Sequence, residues 1–163
     1  MTRARTTKAT DVATARLIVI ADELASVGAR APLIRQLTGF GERWVRNLVR
    51  RSKAARPRRM SDAALWLDQD PQRLVDTSVF MAVYGCQLTT DPEANRLLRS
   101  YRAYRAIKPG AALDINRCAQ VIELCRLRTL RSATCRLCGT RYLALPSDAM
   151  CPVCRMLKSL EVE

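Results

Sequence analysis

The stretch from residue 134 to residue 154, TCRLCGTRYLALPSDAMCPVC, contains two Cys-x-x-Cys pairs separated by twelve residues. The first pair is Cys135 and Cys138, and the second is Cys151 and Cys154. A gap of two residues lets both thiolates of one tight turn reach the same ion, and four thiolates complete the tetrahedral site of structural zinc. Gly139 supplies the permissive backbone that such turns use. We therefore predict a zinc-ribbon-like module that holds one structural zinc ion per chain, with a short hairpin strand between the pairs.

Other uses of clustered cysteines stay open at this point. An iron–sulfur cluster also accepts four thiolates, and a thioredoxin-type redox pair would need a βαβ context that the sequence lacks. Because four protein ligands leave no position for water, the site is predicted to be structural and not catalytic. The remaining cysteines, Cys86, Cys118 and Cys125, are interpreted as small buried apolar residues.

Outside the cysteine pairs the chain is predicted to be mainly α-helical. Hydrophobic residues make up 48% of it and aromatic residues only 5%, with leucine, alanine and valine dominant. Apolar spacing, caps and prolines predict helices over 11–27, 31–37, 42–51, 61–67, 70–88, 91–107 and 112–130. Asp70-Pro71 and Asp91-Pro92 each resemble an N-cap followed by a proline in the first turn. We divide the chain into a flexible basic arm (1–10), a helical domain (11–131), a zinc-binding module (132–158) and a tail (159–163).

Positive charge is concentrated in the first third of the chain. The whole sequence has 28 Lys and Arg against 15 Asp and Glu, a formal net charge of +13. Residues 1–60 carry 14 against 4, a net of +10, whereas residues 61–113 carry 6 against 6. A charge excess at one end predicts contact with a polyanion; solubility alone does not require such clustering.

Residues 31–50, APLIRQLTGFGERWVRNLVR, have the rhythm of a helix-turn-helix. Ile34 and Leu37 are predicted to pack the first helix, and Val45 and Leu48 the second, which leaves arginines and an asparagine able to read base edges. An ordinary helical hairpin with a solvated basic face explains the pattern equally well. The eight Lys and Arg between positions 43 and 59, without an acid, favour nucleic-acid binding.

Thirteen residues are predicted to contact DNA. In the helix-turn-helix-like segment and the basic linker after it they are Arg43, Arg46, Asn47, Arg50, Arg51, Lys53, Arg56, Arg58 and Arg59, and in the cysteine module they are Arg136, Arg141, Arg155 and Lys158. The linker, from position 52 to position 59, has charge and a proline but no apolar periodicity.

The sequence argues against an enzyme and against a membrane protein. It contains no histidine and no Gly-rich phosphate loop, and its clustered cysteines leave no free nucleophile beside a base. No secretory signal precedes the first helix, and no apolar run approaches the length of a membrane span. We expect a cytoplasmic protein, whose thiols stay reduced and so favour metal over disulfides.

From about residue 15 to residue 158 the chain resembles the FlhC family, subunits of a bacterial flagellar transcription activator. The resemblance lies in Gly28-Ala-Arg-Ala-Pro-Leu-Ile-Arg, in Trp44-Val-Arg-Asn-Leu-Val-Arg, in the proline-bearing basic linker and in the two cysteine pairs after a helical array. The chain departs from the family in its shorter, histidine-free loop between the pairs and in its ending, Leu160-Glu-Val-Glu163, in place of a basic tail.

The resemblance implies a function and partners. Family members bind FlhD in a heterohexamer of two FlhC and four FlhD chains, and the complex activates flagellar operons at promoter DNA with the housekeeping RNA polymerase. The family's four cysteine ligands match Cys135, Cys138, Cys151 and Cys154. The first helix and the apolar faces of the middle helices are the expected interfaces with FlhD.

A different class of function fits the charge and the cysteines as well: an RNA-binding or ribosome-associated zinc protein. Sequence-specific RNA binders generally stack bases on aromatic side chains, and most of the few aromatic residues here lie in predicted helices. Competition between duplex DNA and single-stranded RNA would separate the two hypotheses.

Overall fold

The computed structural model describes residues 3–54, 62–88, 90–110, 112–145 and 149–160. In these ranges it contains α1 (Arg3–Ser26), α2 (Ala31–Thr38), α3 (Glu42–Arg51), α4 (Ala63–Asp68), α5 (Pro71–Gly85), α6 (Glu93–Ile107), α7 (Ile115–Arg126), β1 (Arg131–Thr134), β2 (Arg141–Ala144) and α8 (Pro152–Leu160). The predicted fold class, mainly α with a small four-cysteine module at the C-terminal end, is confirmed. None of the helices in the described ranges combines the length and the apolar character needed to cross a bilayer.

The first helix differs from the sequence prediction at its start. α1 begins at Arg3, so residues 3–10, which were expected to form a flexible arm, belong to the helix instead. The segment Arg3–Ser26 contains neither glycine nor proline, and its alanines, arginines and lysine all favour the helical backbone. Met1 and Thr2 lie outside the described residues. At the other end of the chain, α8 runs to Leu160, past the predicted end of the module.

α2 and α3 form a helix-turn-helix pair that packs on α1. Gly39 ends α2 with a left-handed φ of 73°, and its N–H donates to the Arg35 carbonyl at 2.8 Å. A residue without Cβ adopts this conformation at no steric cost, so the chain turns within a few residues. Ile34 and Val45 are buried in the core that the three helices share, as predicted. Ser52 fixes the end of α3, because its hydroxyl donates to a backbone carbonyl of α1 at 2.8 Å.

α5 is the central helix of the second half of the chain, in contact with α4, α6, α7, β2 and α8. Its predicted cap is confirmed, since Asp70 Oδ1 accepts the Gln72 N–H at 2.9 Å. Phe80 is fully buried and lies edge-on to Tyr104 of α6, with ring centroids 5.8 Å apart. Burial of a side chain such as Phe80 contributes about 2 to 3 kcal/mol to folding.

The carboxylate cap predicted for α6 is wrong. Pro92 occupies the N-cap position, where it makes no side-chain hydrogen bond. The Asp91 carboxylate instead accepts from Arg99 Nη1 at 2.9 Å, so an arginine two turns along the helix takes the group expected to cap it. α7 is shorter than the helix predicted over 112–130. Asp114 caps its start by accepting the Arg117 N–H at 2.8 Å, and the helix ends at Arg126.

α4 is held to its neighbours by an aromatic ring between two guanidinium groups. Arg73 of α5 and Arg117 of α7 lie over the Trp66 ring at 4.6 and 4.5 Å from its centroid. Each such contact adds about 0.5 to 2 kcal/mol, more when it is shielded from water. Ser61, where the predicted helix 61–67 begins, lies outside the described residues, and the Asp62 carboxylate accepts the Leu65 N–H at 3.1 Å.

A buried carboxylate ties α5 to the connection between α6 and α7. The Asp76 side chain is 2% exposed and forms an ion pair with Lys108. It also accepts the Ala112 N–H at 2.8 Å and a hydrogen from Gln72 Nε2 at 3.0 Å. Burial by itself would raise the pKa of Asp76, but the hydrogen bonds from Lys108, Ala112 and Gln72 outweigh it and lower the pKa below its ordinary value.

We expect Asp76→Asn to lower the free energy of unfolding by about 2 kcal/mol near neutral pH, because a charge-assisted network is lost. Since the folded pKa lies below 3.8, the contribution of Asp76 is complete above that value and disappears as the pH falls through the folded pKa. The variant should therefore lose less stability than the native chain between about pH 5 and about pH 2. Urea unfolding across this range measures the difference.

The control is Asp91→Asn, which removes a more exposed ion pair with Arg99. It should cost less than about 1 kcal/mol. Equal losses of unfolding free energy in the two variants would show that the buried network stabilises the fold no more than the exposed ion pair does.

Candidate metal centre and nucleic-acid interface

The four paired cysteines are positioned by a β-hairpin and by the start of a helix. β1 and β2 pair antiparallel, with Arg131 opposite Ala144 and Thr134 opposite Arg141. Cys135 and Cys138 lie in the turn between these strands, while Cys151 directly precedes α8 and Cys154 lies in its first turn. The hairpin turn closes through Gly139, whose φ is 71° and whose N–H donates to the Cys135 carbonyl at 3.0 Å. The predicted strand between the pairs is confirmed as β2, and β1 was not predicted.

The four sulfur atoms lie within 4.8 Å of one another. Cys138 Sγ and Cys151 Sγ are 3.7 Å apart, and a tetrahedron with zinc–sulfur bonds of about 2.3 Å has edges of about 3.8 Å. The same distance is far beyond a disulfide bond of about 2.05 Å. Among the residues that the structure describes, this is the one group of three or more Cys, Asp or Glu arranged to hold a metal ion. The residues present therefore fit a four-sulfur metal site.

The local hydrogen bonds favour thiolate at one sulfur and oppose it at another. The Cys151 N–H donates to Cys135 Sγ at 3.3 Å, and this bond is the main reason why the pKa of Cys135 falls to about 6. Hydrogen bonds with the sulfurs of Cys138 and Cys151 raise the pKa of Cys154 to about 12. Four thiolates this close repel one another, and a bound divalent cation removes the conflict by stabilising all of them. The N-terminus of α8 adds a favourable dipole at the second pair.

The cysteine module rests on α5. Leu143 of β2 donates its N–H to Ser78 Oγ at 3.1 Å, and both β2 and α8 contact α5. Tyr142 and Ala144 are buried with Cys135 and Cys151 in a small core of the module's own. A rigid metal site would therefore hold the hairpin and α8 at a defined place on the helical body.

The three other cysteines do not join the cluster. Cys118 is buried and Cys125 half-buried, and burial raises the pKa of both thiols. Their interpretation as apolar packing residues agrees with these positions. Cys86 is exposed at the C-terminal end of α5, so the prediction that it is buried is wrong. It follows the last turn of the helix, where a local apolar pattern does not determine which way a residue faces.

α3 presents one apolar and one basic face. Val45 and Leu48 are buried against the neighbouring helices. Four predicted DNA-binding residues share the opposite, exposed side at helical spacing: Arg43, Arg46, Asn47 and Arg50. We call these four residues the α3 basic face. They border a shallow surface depression together with Glu42.

Three side-chain contacts lie on or beside the α3 basic face, and none was predicted from sequence. Glu42 at the start of α3 accepts from Arg46 at 2.5 Å and from Arg35 of α2 at 3.2 Å. Arg50 donates to Asn47 Oδ1 at 3.1 Å. Glu42 also lies where the helix dipole favours a negative charge. The i,i+4 spacing of Glu42 and Arg46 could have indicated their pair, but Arg35 reaches Glu42 only because the turn folds α2 beside α3.

The other predicted DNA-binding residues fall into three groups. Arg51 and Lys53 are exposed at the end of α3 beside α1, away from the centre of the α3 basic face. Arg56, Arg58 and Arg59 lie outside the described residues. In the cysteine module, Arg136, Arg141 and Lys158 are exposed, and Arg155 is half-buried.

Among the residues that the structure describes, the predicted DNA contacts lie on elements that pack against different helices. α3 packs on α1 and α2, whereas β2 and α8 pack on α5. The α3 basic face and the basic residues of the cysteine module therefore belong to separate parts of the body.

The chain thus combines a four-cysteine site suited to a metal ion with a helix-turn-helix pair whose second helix exposes arginines. No protein-family model matches the chain, and no curated protein is similar enough to it to count as a relative.

Proposed function

We propose that this protein is a DNA-binding subunit of a bacterial transcription activator, which works with an FlhD-type partner at promoters of flagellar and other operons. It acts without catalytic chemistry of its own, in the cytoplasm, and it recruits the housekeeping RNA polymerase. The observation that carries the proposal is the α3 basic face, on the second helix of a helix-turn-helix pair. The order of sequence features shared with the FlhC family supports the choice of partner.

The α3 basic face suits the major groove of duplex DNA. A helix of this width enters that groove, arginine pairs with guanine edges, and asparagine pairs with adenine. Val45 and Leu48 anchor the opposite face in the core, so the helix is rigidly supported from behind. Glu42 holds Arg46 against the start of the helix and limits its free motion. Arg51 and Lys53 flank the helix and would meet phosphates.

The cysteine site would hold one zinc ion with a structural role. Cys135, Cys138, Cys151 and Cys154 supply all four ligands of a tetrahedral ion, which leaves no position open for a reacting water. Thiolate ligands in two Cys-x-x-Cys turns are the usual set for zinc, and the 3.7 Å sulfur–sulfur distance agrees with it. In this role zinc keeps the β-hairpin and α8 folded against α5.

α1 offers a surface for the partner chain. Val12, Ile18 and Val19 are exposed on this helix, and positions 12 and 19 lie two turns apart on the same side. Exposed apolar side chains in a row are typical of helix–helix contacts between subunits. An assembly of two such chains with four FlhD-type chains, as the resemblance implies, would cover them.

The proposal is tested by purification with an FlhD-type protein, followed by metal analysis and DNA binding. We expect a stable complex, one zinc per copy of this chain, and preference for a promoter duplex over a random duplex and over single-stranded RNA of equal length. Affinity for the duplex should fall steeply with salt because arginine–phosphate contacts release condensed counterions. Preference for the RNA would instead support the ribosome-associated or RNA-binding alternative.

A further inference from the structure

We propose that the cysteine module carries a protein-docking surface, formed by Leu137, Val153 and Leu157, for an acidic amphipathic helix of a partner protein. This inference goes beyond DNA binding and does not depend on it. It assigns the basic residues of the module, predicted from sequence to contact phosphates, to the rim of a protein interface instead.

The three side chains are large apolar residues that are about half exposed to water. Leu137 is 55% exposed, Val153 49% and Leu157 56%. All three belong to a module of about thirty residues, whose own small core buries Tyr142 and Ala144. The module thus buries one set of apolar residues and leaves a second set facing water. A group of apolar side chains of this kind marks an interaction site more often than a single exposed leucine does.

Two of the three residues lie in the turns that carry the four sulfurs, and the third lies on the helix that follows the second turn. Leu137 directly precedes Cys138 and Val153 directly precedes Cys154, so each occupies the same position in its Cys-x-x-Cys turn. Because all four sulfurs lie within 4.8 Å of one another, the two turns surround a single point. Leu157 stands one helical turn after Val153 on α8, and residues four apart share a helix face.

The charge around this surface selects the partner. Residues 131–160 contain five Lys and Arg against one acid, Asp148, and Glu161 and Glu163 follow Leu160. Arg136 adjoins Leu137, and Lys158 adjoins Leu157, with both basic side chains exposed. Interfaces of this kind have an apolar centre and a polar rim. The complementary ligand is a helix with apolar residues at i, i+3, i+4 and i+7 and carboxylates on its flanks.

Nucleic acid is the less suitable ligand here. Phosphates gain nothing from three large aliphatic side chains at the centre of the surface, and base stacking requires aromatic rings or guanidinium planes. The one tyrosine of the hairpin, Tyr142, is buried and cannot provide such a platform. A basic surface without an apolar centre would have favoured the opposite conclusion.

The test uses the full, metal-loaded chain and three labelled synthetic helical peptides of about 18 residues. The first has leucines at i, i+3, i+4 and i+7, glutamates at the positions that flank them and alanines elsewhere; the second replaces the glutamates with lysines, and the third replaces the leucines with serines. We expect measurable binding of the first peptide in fluorescence anisotropy and at least about tenfold weaker binding of the other two.

Variants locate the surface. Leu157→Ser and Val153→Ser should each weaken binding of the acidic peptide about tenfold, and Lys158→Glu should weaken it with a reduced salt dependence. Leu65→Ser, at a leucine that is 66% exposed on α4, is the matched control and should change nothing. The metal content of each variant is measured to establish that the module is folded.

Several results would overturn the inference. They are the failure of the acidic peptide to bind, equal binding of the lysine peptide, or unchanged binding by both folded Val153 and Leu157 variants. A competition experiment with the Arg46→Ala, Arg50→Ala double variant, whose α3 basic face is weakened, gives a further test. If duplex DNA displaced the acidic peptide from this variant, nucleic acid would occupy the module and the inference would be wrong. None of these outcomes bears on whether the α3 basic face reads DNA.

Discussion

Replacement of Cys135 or Cys151 by serine is expected to abolish stoichiometric metal binding and to unfold the cysteine module while α1–α7 remain helical. The hairpin has only two strands of four residues, and a hairpin of that size is marginal in water on its own. Structural zinc contributes an apparent free energy of about 10 kcal/mol or more in small thiolate domains. We therefore expect a bound ion to supply most of the free energy that keeps the hairpin and α8 folded.

Metal analysis and hydrogen exchange test this expectation together. Amides of β2 and α8 should exchange at nearly the rate of an unfolded chain in the variants and after removal of metal with a chelator. Cys86→Ser is the control, because Cys86 is exposed and lies outside the cluster. Full protection of the hairpin in metal-free protein would refute the structural role of the four cysteines.

Simultaneous replacement of Arg46 and Arg50 by alanine is expected to weaken promoter binding by about 100-fold at moderate salt. Each arginine that contacts a base or a phosphate contributes about 1 to 3 kcal/mol. The slope of log affinity against log salt should also fall by about two, because two fewer counterions are released. Both side chains are exposed and neither belongs to the core, so the helical fold should persist in circular dichroism.

A charge-matched control separates the loss of contacts on α3 from the loss of overall positive charge. Arg99 and Arg102 are exposed on α6, in ion pairs with Asp91 and Glu23. Their double replacement removes the same charge at another site and should change duplex affinity by only a small factor. If the two double variants behaved alike, the DNA-binding surface would have to be placed elsewhere than on α3.

The helical architecture could be predicted closely wherever local signals agree. Apolar spacing located the helices, and Asp70 caps α5 as its position before a proline suggested. The prediction failed for the cap of α6. α5 begins at Pro71, so Asp70 occupies its N-cap, whereas α6 begins at Glu93, so Pro92 occupies the N-cap and Asp91 lies one residue before it. The dipeptide Asp-Pro does not determine at which residue a helix begins.

The candidate site was also only partly predictable. The four candidate cysteine ligands could be identified from their spacing alone, because a two-residue gap places both sulfurs of a turn close enough to bind one ion. The basic side of α3 follows from helical periodicity. In contrast, β1 was not predicted, since Thr134 is the only strand-favouring residue in Arg-Ser-Ala-Thr. It becomes a strand because β2 pairs with it.

The sequence by itself determined the helical class, the four sulfur ligands and the residues that form the exposed side of α3. Each of these depends on neighbours a few positions apart, which the periodicity of a helix or a turn places predictably. Only the tertiary structure decided that Asp76 pairs with Lys108, that Glu42 joins Arg35 to Arg46, and that the module lies against α5. Each of these contacts joins different parts of the fold, and packing of the apolar core selects which parts meet.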